Sequence, residues 1–219
     1  MISKTSLHKN PFLGLFFRAN DELVFGPKNL DARLAALAEN TLQAGYAGIS
    51  LNESNLVGLF SAMNSSGCVL PSFAQENEIA AVRKCGLNVV LLSRHYACGN
   101  NVLCNDSGAL LNPAISAADS KRISDALGVE VLHHESLTGT PTVGAMNVVT
   151  NKGLLAYNDT PEVELKKMTK FFKVGGTAGT GNMGVAFNGI CVCANASGAL
   201  VGDHTSGYEM QRIYEALFG

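Results

Sequence analysis

Five asparagines set a period along this chain of 219 residues. They are Asn20 (RANDELVFGP), Asn64 (AMNSSGCVLP), Asn105 (LCNDSGALLNP), Asn151 (VTNKGLLAY) and Asn195 (CANASGALVG), at intervals of 44, 41, 46 and 44 residues. A glycine stands six residues before the Asn at Gly14, Gly58, Gly99 and Gly189, and seven before it at Gly144. Another follows the Asn at Gly67, Gly108, Gly153 and Gly198, with Leu23 in its place in the first unit. A period of this length marks one supersecondary unit that cannot bury its apolar face alone and must stack on copies of itself. Five units of about 44 residues fill 1–219 and leave nothing for a second domain, so a single domain is expected.

Each unit reads as β-β-α-β. Between the two glycines runs a strand-like stretch such as LFSAM or ICVCA, and after the turn a short apolar stretch such as CVLP or ALLNP. That is a hairpin: Asn folds its side chain onto the backbone two residues ahead, and glycine at the fourth position supplies φ > 0. Helices are expected over 30–43, 73–85, 116–127, 161–172 and 206–218, from apolar spacings such as Met210, Ile213, Tyr214 and Leu217. Start signals are Ser72 with Gln75, Ser116 with Asp119, Ser206 with Glu209, and Thr160 capping ahead of Pro161 at the first helical position. The first four helices are followed by β-prone stretches, YAGISLN, LNVVLLSRH, VEVLHHES and FKVGGTAG. The fifth is not, and the missing strand stands at the other end of the chain, in ISKTSLH at 2–8. An open solenoid needs capping repeats, whereas a closed ring lets the first strand complete the last unit, so a ring is expected.

Composition narrows the function. With 47% hydrophobic and 16% charged residues the chain can fill a sizeable core. The net charge of −2, with KKMTKFFK at 166–173 as the one basic run, argues against attachment to nucleic acid mainly through counterion release. Cys68, Cys85, Cys98, Cys104, Cys191 and Cys193 fit no zinc spacing and read as reduced thiols of a cytoplasmic protein. No apolar h-region follows Met1, and no apolar run reaches the ~18 residues of a membrane span.

The segments CGNNVLCNDSGALLNPAIS, LGVEVLHHESLTGTPTVGAMNVVTNKGLLAY and GGTAGTGNMGVAFNGICVCANASGALVGDHTSGYEMQRIYEALF resemble the translation initiation factor 6 family of archaea and eukaryotes. The likeness runs along essentially the whole chain and is clearest from Gly67 onward. It implies a pentein, a five-fold pseudosymmetric α/β propeller ring. It further implies binding to the joining face of the large ribosomal subunit, mostly to a ribosomal protein near the sarcin–ricin loop, with exclusion of the small subunit. No catalysis, cofactor, metal, membrane or small-molecule substrate is implied, and the ring is expected to be a monomer. Because the chain stops at its last helix, the archaeal form without a regulatory tail is expected. The ribosome-binding residues expected from the resemblance and the exposed turns are Asn105 with Asp106, then Asn64 with Ser65, and Asn151 with Lys152. Leu59 completes the set, at a position where eukaryotic members often carry Arg. Replacing Asn105 by Ser is expected to weaken docking at little cost in stability.

Three signals point elsewhere. GTGNMG at 179–184 matches GxGxxG, but VAFNGICVCA after it is strand-like, where a dinucleotide site needs a helix. Pentein amidino-group enzymes use a Cys nucleophile with His and carboxylate partners. The rival nucleophiles are Cys191, Cys193 and Cys104, with His204, His133 and His134 as bases, although no local motif joins them. Cys191 and Cys193 are expected to share one strand face. His133 and His134 would face opposite sides of a strand and cannot easily share a metal ion.

Overall fold

The computed structural model describes residues 1–94, 96–133 and 141–219. Five three-stranded sheets and nine α-helices make up its regular structure among these residues, and the repeat is β-β-α-β as its residues indicate. In the second unit, Ala62–Met63 pairs antiparallel with Gly67–Leu70 across the Asn64 turn. The helix Glu76–Lys84 then crosses over to Asn88–Leu91, which pairs parallel with Gly67–Leu70. The other long helices are Ala32–Leu42, Ala117–Leu127, Glu162–Phe172 and Gly207–Phe218. In the last unit the crossover strand comes from the other end of the chain. Ile2–Thr5 pairs parallel with Ala199–Gly202, in register from Ile2↔Ala199 to Thr5↔Gly202.

The apolar residues form five cores, each lying between two neighbouring units. One joins Val69 and Val90 of the second sheet to Leu111, Ile123 and Leu127 of the third unit. Another joins Leu200 and Cys193 of the last unit to Leu13, Phe17, Val24 and Leu42 of the first. Each long helix is therefore a wedge whose apolar stripe serves two sheets. No unit owns a complete core, and the contact between the last and first units is built like the other four.

The glycines after the turn serve a purpose other than the one read from the sequence. Gly67, Gly108, Gly153 and Gly198 do not occupy the positive-φ region. They are glycine because a neighbouring helix ends against them. A Cβ would lie 2.3 Å from the Ala126 carbonyl oxygen at Gly67, 2.2 Å from that of Ala216 at Gly153, and 2.0 Å from that of Thr41 at Gly198. At Gly108 it would meet the Phe171 ring at 2.7 Å. Leu23 is tolerated in the first unit because the helix beside it, Glu76–Lys84, is the shortest of the five at 9 residues. Leu23 fills that space, packing in one cluster with Cys85 and Leu87.

Two helix starts differ from the sequence reading. The second helix is capped at Gln75, whose N–H donates to Glu78 at 3.0 Å, rather than at Ser72. Pro161 occupies the cap position itself, one residue earlier in the helix frame than expected, since its φ of −59° and ψ of 145° are extended. Ser206 and Glu209 form the expected reciprocal box. Ser116 accepts from the Asp119 N–H, but the Asp119 carboxylate turns away to the Ser93 N–H and hydroxyl.

Candidate functional site

The inner strands surround an axis with two unlike ends. At one end stand the five turns. At Asn20, Asn64, Asn105 and Asn195 the side-chain oxygen accepts from two backbone N–H groups of its own turn, as at Asn105 from Ser107 at 2.9 Å and Gly108 at 3.1 Å. The amide then reaches the next unit. Asn195 donates to the Asn20 carbonyl at 2.9 Å, Asn20 to Asn64 at 2.9 Å, Asn64 to Asn105 at 3.3 Å, and Asn105 to Thr150 at 3.1 Å. Three of these amides also cap a helix C-terminus: Asn64 on Leu127, Asn105 on Phe172 and Asn195 on Leu42.

The fourth turn residue is Thr150, not Asn151. Its N–H bonds the Gly153 carbonyl as the N–H of Asn105 bonds Gly108, and its hydroxyl accepts from Lys152 and Gly153. This explains the irregular spacing in the sequence, because Thr150 lies six residues after Gly144 like the other four. Asn151 is one place further out, at the tip. There its amide bridges Asp106 at 2.7 Å and Asp21 at 2.8 Å, and its side-chain oxygen accepts from the Asp106 N–H. Asp106 also accepts from the Ser65 N–H and hydroxyl, and Asp21 from the Ala196 N–H. The tips thus form one belt across the axis, with Lys152 exposed beside it.

The expected contact residues therefore fall into three settings. Asn64 and Asn105 are buried, at 2% and 4% exposure, with their polar atoms committed to the ring. Ser65, Asp106, Asn151 and Lys152 are exposed at the tips. Leu59 lies half-buried in the helical turn Val57–Phe60, at the opposite end of the inner strand. The structure does not bring it together with the others.

That opposite end is built from five short helical turns: Leu13–Leu15, Val57–Phe60, Cys98–Asn101, Val143–Met146 and Asn188–Cys191. The sequence suggested strand here, yet only two or three residues of each stretch pair as strand. The reason is crowding at the axis. A Cβ on Gly58 would sit 2.2 Å from the Gly14 carbonyl oxygen, on Gly99 1.9 Å from Gly58, and on Gly144 2.3 Å from Gly99. The cycle continues with Gly189 on Gly144 at 1.9 Å and Gly14 on Gly189 at 2.0 Å. Only backbone fits where five turns converge. Half-buried apolar side chains stand around this ring, Leu15, Phe16, Leu59, Phe60 and Ile190 among them. Farther out, Phe187 is 37% exposed and stacks edge-on with Tyr157, and Met183 is 78% exposed. On this surface sequence reasoning named Leu59 and missed the rest, whose residues are ordinary core types; for Leu15, Phe16, Phe60 and Ile190 the position just after a ring glycine was the available signal.

The thiols are poor nucleophiles. Burial pushes Cys191 up to about 12, and Cys104 and Cys193 to about 12 despite the nearby Arg18. Cys104 donates to the Met63 carbonyl. Cys191 and Cys193 do not share a face: Cys191 ends a helical turn and packs between the last two units, whereas Cys193 packs against Leu13 and Phe17. His204 lies 3.8 Å from Asp203 on the surface, and His133 contacts Ser120 and the Ile115 carbonyl. His134 lies outside the described residues. In GTGNMG the N–H groups of Met183 and Gly184, which a phosphate would need, donate to Glu209 at 3.1 and 2.8 Å. Among the described residues no group of three potential metal ligands assembles, and no helix is long and apolar enough to cross a membrane.

Comparison with known proteins gives the family. The model of the eIF-6 family matches residues 2–216. The chain is 34% identical over 206 residues to Translation initiation factor 6 of Pyrobaculum aerophilum, covering 94% of this chain and 93% of that one. It is 33% identical to the protein of that name from Pyrococcus horikoshii, covering 99% and 98% of the two chains. It is 34% identical to that of Thermoplasma acidophilum, covering 99% of this chain and all of that one. With the family model matching residues 2–216 and relatives similar along nearly their whole length, the chain belongs to the eIF-6 family.

Proposed function

We propose that this member of a translation initiation factor family binds the joining face of the large ribosomal subunit and keeps the small subunit away by bulk alone. The docking surface is the end of the axis that carries the helical turns, with Leu59 near its centre. The observation that carries this reading is the contrast in unsatisfied surface. Apolar side chains stand half-exposed around the glycine ring, inside a rim of mixed charge that includes Lys9, Glu53, Asp159 and Asp203. Protein interfaces place apolar and aromatic anchors at the centre and polar groups at the rim. At the other end the polar tips already bond one another, so a partner there gains less. The glycine ring also fixes the surface rigidly, which limits the ordering cost of binding. A chain acting by exclusion needs no chemistry, and the neutral, buried thiols are consistent with that.

The turn tips offer a second docking surface, favoured by exposed Asp106 and Lys152. Co-sedimentation with purified large subunits through a sucrose gradient separates the two, followed by a subunit-joining assay. Leu59→Glu is expected to abolish both co-sedimentation and inhibition of joining while the melting temperature holds. Asp106→Ala with Lys152→Ala is expected to leave both intact. The reverse result assigns docking to the tips, and loss in neither ends the proposal.

A further inference from the structure

One groove on the outside of the molecule departs from a pattern that other units keep. In the second, third and fifth units an acid at the third position of the long helix holds the loop that follows the preceding unit's crossover strand. Glu78 accepts from the Ser50 hydroxyl and from the Asn52 N–H at 2.9 Å. Asp119 accepts from the Ser93 N–H and hydroxyl. Glu209 accepts from the Thr180 hydroxyl at 2.9 Å and from the Met183 and Gly184 N–H groups. The helix Ala32–Leu42 of the first unit carries Leu34 at that position and brings no acceptor. Leu7 and Asn10 close the same turn as Leu51 and Ser54, which makes Ser6 and His8 the counterparts of Ser50 and Asn52. The Ser6 hydroxyl and the His8 N–H have no acceptor among the described residues.

A groove of about 650 Å³ lies there, lined by Lys4, Ser6 and His8 on one side and by Arg33, Leu34 and Leu37 on the other. One wall is a free sheet edge, because Ile2–Thr5 is the outer strand of its sheet. The Met1 carbonyl accepts from the Ala199 N–H, so by alternation Ile2 and Lys4 turn their own N–H and C=O groups away from that sheet. Lys4, His8 and Arg33 are exposed, and neither Lys4 nor Arg33 joins an ion pair among the described residues. Asp31, the acid of the lining, already accepts from the Arg33 and Leu34 N–H groups as the helix cap. The groove therefore offers positive charge, an unused backbone edge and two unused donors.

We propose that this groove takes a short, extended, acidic segment of another protein, added to the edge of Ile2–Thr5 as a further strand. Backbone bonds to Ile2 and Lys4 set the register of the segment, as in strand addition generally. One of its carboxylates accepts from the Ser6 hydroxyl and the His8 N–H, as Glu78 does from Ser50 and Asn52 in the next unit. Lys4 and Arg33 select an acidic partner over a basic one. This contact does not depend on docking to the ribosomal subunit.

A fluorescent peptide of alternating aspartate and valine, blocked at both ends, tests this on the purified chain. A saturable rise in anisotropy is expected with it and not with its lysine–valine counterpart. The amide resonances of Ile2, Lys4, Ser6 and His8 are expected to shift on titration. Lys4→Glu with Arg33→Glu is expected to weaken binding by about tenfold while the melting temperature holds, since both side chains are exposed. Methylating alternate backbone nitrogens of the peptide is expected to abolish binding. Absence of saturable binding, equal binding of the lysine or methylated peptide, or amide shifts confined to other elements overturns the proposal. Should the double variant fail to fold, the amide shifts of the native chain decide alone.

Discussion

The two ends of the axis solve the same problem, joining five units around a point, by different physics. At the helical-turn end the joint is steric. Each ring glycine lies so close to the next that a methyl group would penetrate a backbone carbonyl, and all five positions obey. At the turn end the joint is made by hydrogen bonds, and it tolerates exceptions. Thr150 breaks the chain of amides, and Asn20 keeps its bond to the next unit without capping a helix. Excluded volume admits no substitute, whereas a hydrogen bond can be lost for about 1 kcal/mol if its partners find others. A repeat that varies at one end and not at the other is reporting that difference.

The comparison is broken most severely at the steric end. Gly99→Ala forces a Cβ to within 1.9 Å of backbone that cannot retreat without opening the ring. The expected cost exceeds about 4 kcal/mol, a large share of ordinary stability. Soluble yield and melting temperature check it, and a variant that melts like the native chain would show that the ring is not tight.

At the turn end the effect is smaller and graded by the number of bonds removed. Asn105→Ala strips two buried carbonyls, on Thr150 and Phe172, of their donor. It is expected to cost about 2–3 kcal/mol, or about 4–10 °C in melting temperature. Asn20→Ala, which strips one, is expected to cost less. Equal losses would mean that the helix caps add nothing. These two bonds give Asn105 a part in holding the ring together, where the sequence reading expected Asn105→Ser to cost little in stability.

Acid sharpens the comparison at the helical-turn end. Burial raises the Glu209 carboxyl, but the N–H groups of Ser206 and Gly184 and the hydroxyls of Ser206 and Thr180 outweigh that and bring it down to about 2. A depressed carboxyl stabilises the fold fully above its unfolded value, near 4.5, and loses that contribution as pH falls through about 2. Glu209→Gln should therefore melt below the native chain at neutral pH, and the gap should close as pH is lowered across that window. A gap independent of pH would assign the effect to shape rather than charge.

The smallest effect is expected from repairing the exception. Thr150→Asn supplies the missing amide facing the Asn195 carbonyl and should change stability by less than about 1 kcal/mol, upward if the ring closes. A large loss would show that the fourth turn has adapted its packing to threonine.

Much of this was legible in the residues themselves. The period, the hairpin-helix-strand order and the strand borrowed from residues 2–8 follow from patterns that repeat locally, and the pairing of Ile2–Thr5 with Ala199–Gly202 bears out the last of these. The one-residue excess at Gly144 already marked the fourth turn as irregular, although Asn151 drew attention away from Thr150. The site was less legible. Asn64 and Asn105 looked like surface turn residues because nothing in a single unit shows the neighbour whose carbonyls they reach.

What the sequence determined alone is the repeating module, since backbone propensity, apolar spacing and capping act within a few residues of one another. The tertiary structure decided what each repeated residue is for. Glycine after the turn answers to a helix from the next unit and not to its own φ, and the inner stretch coils because five copies meet at an axis. Those demands come from excluded volume and burial between units, and they exist only once the units are together.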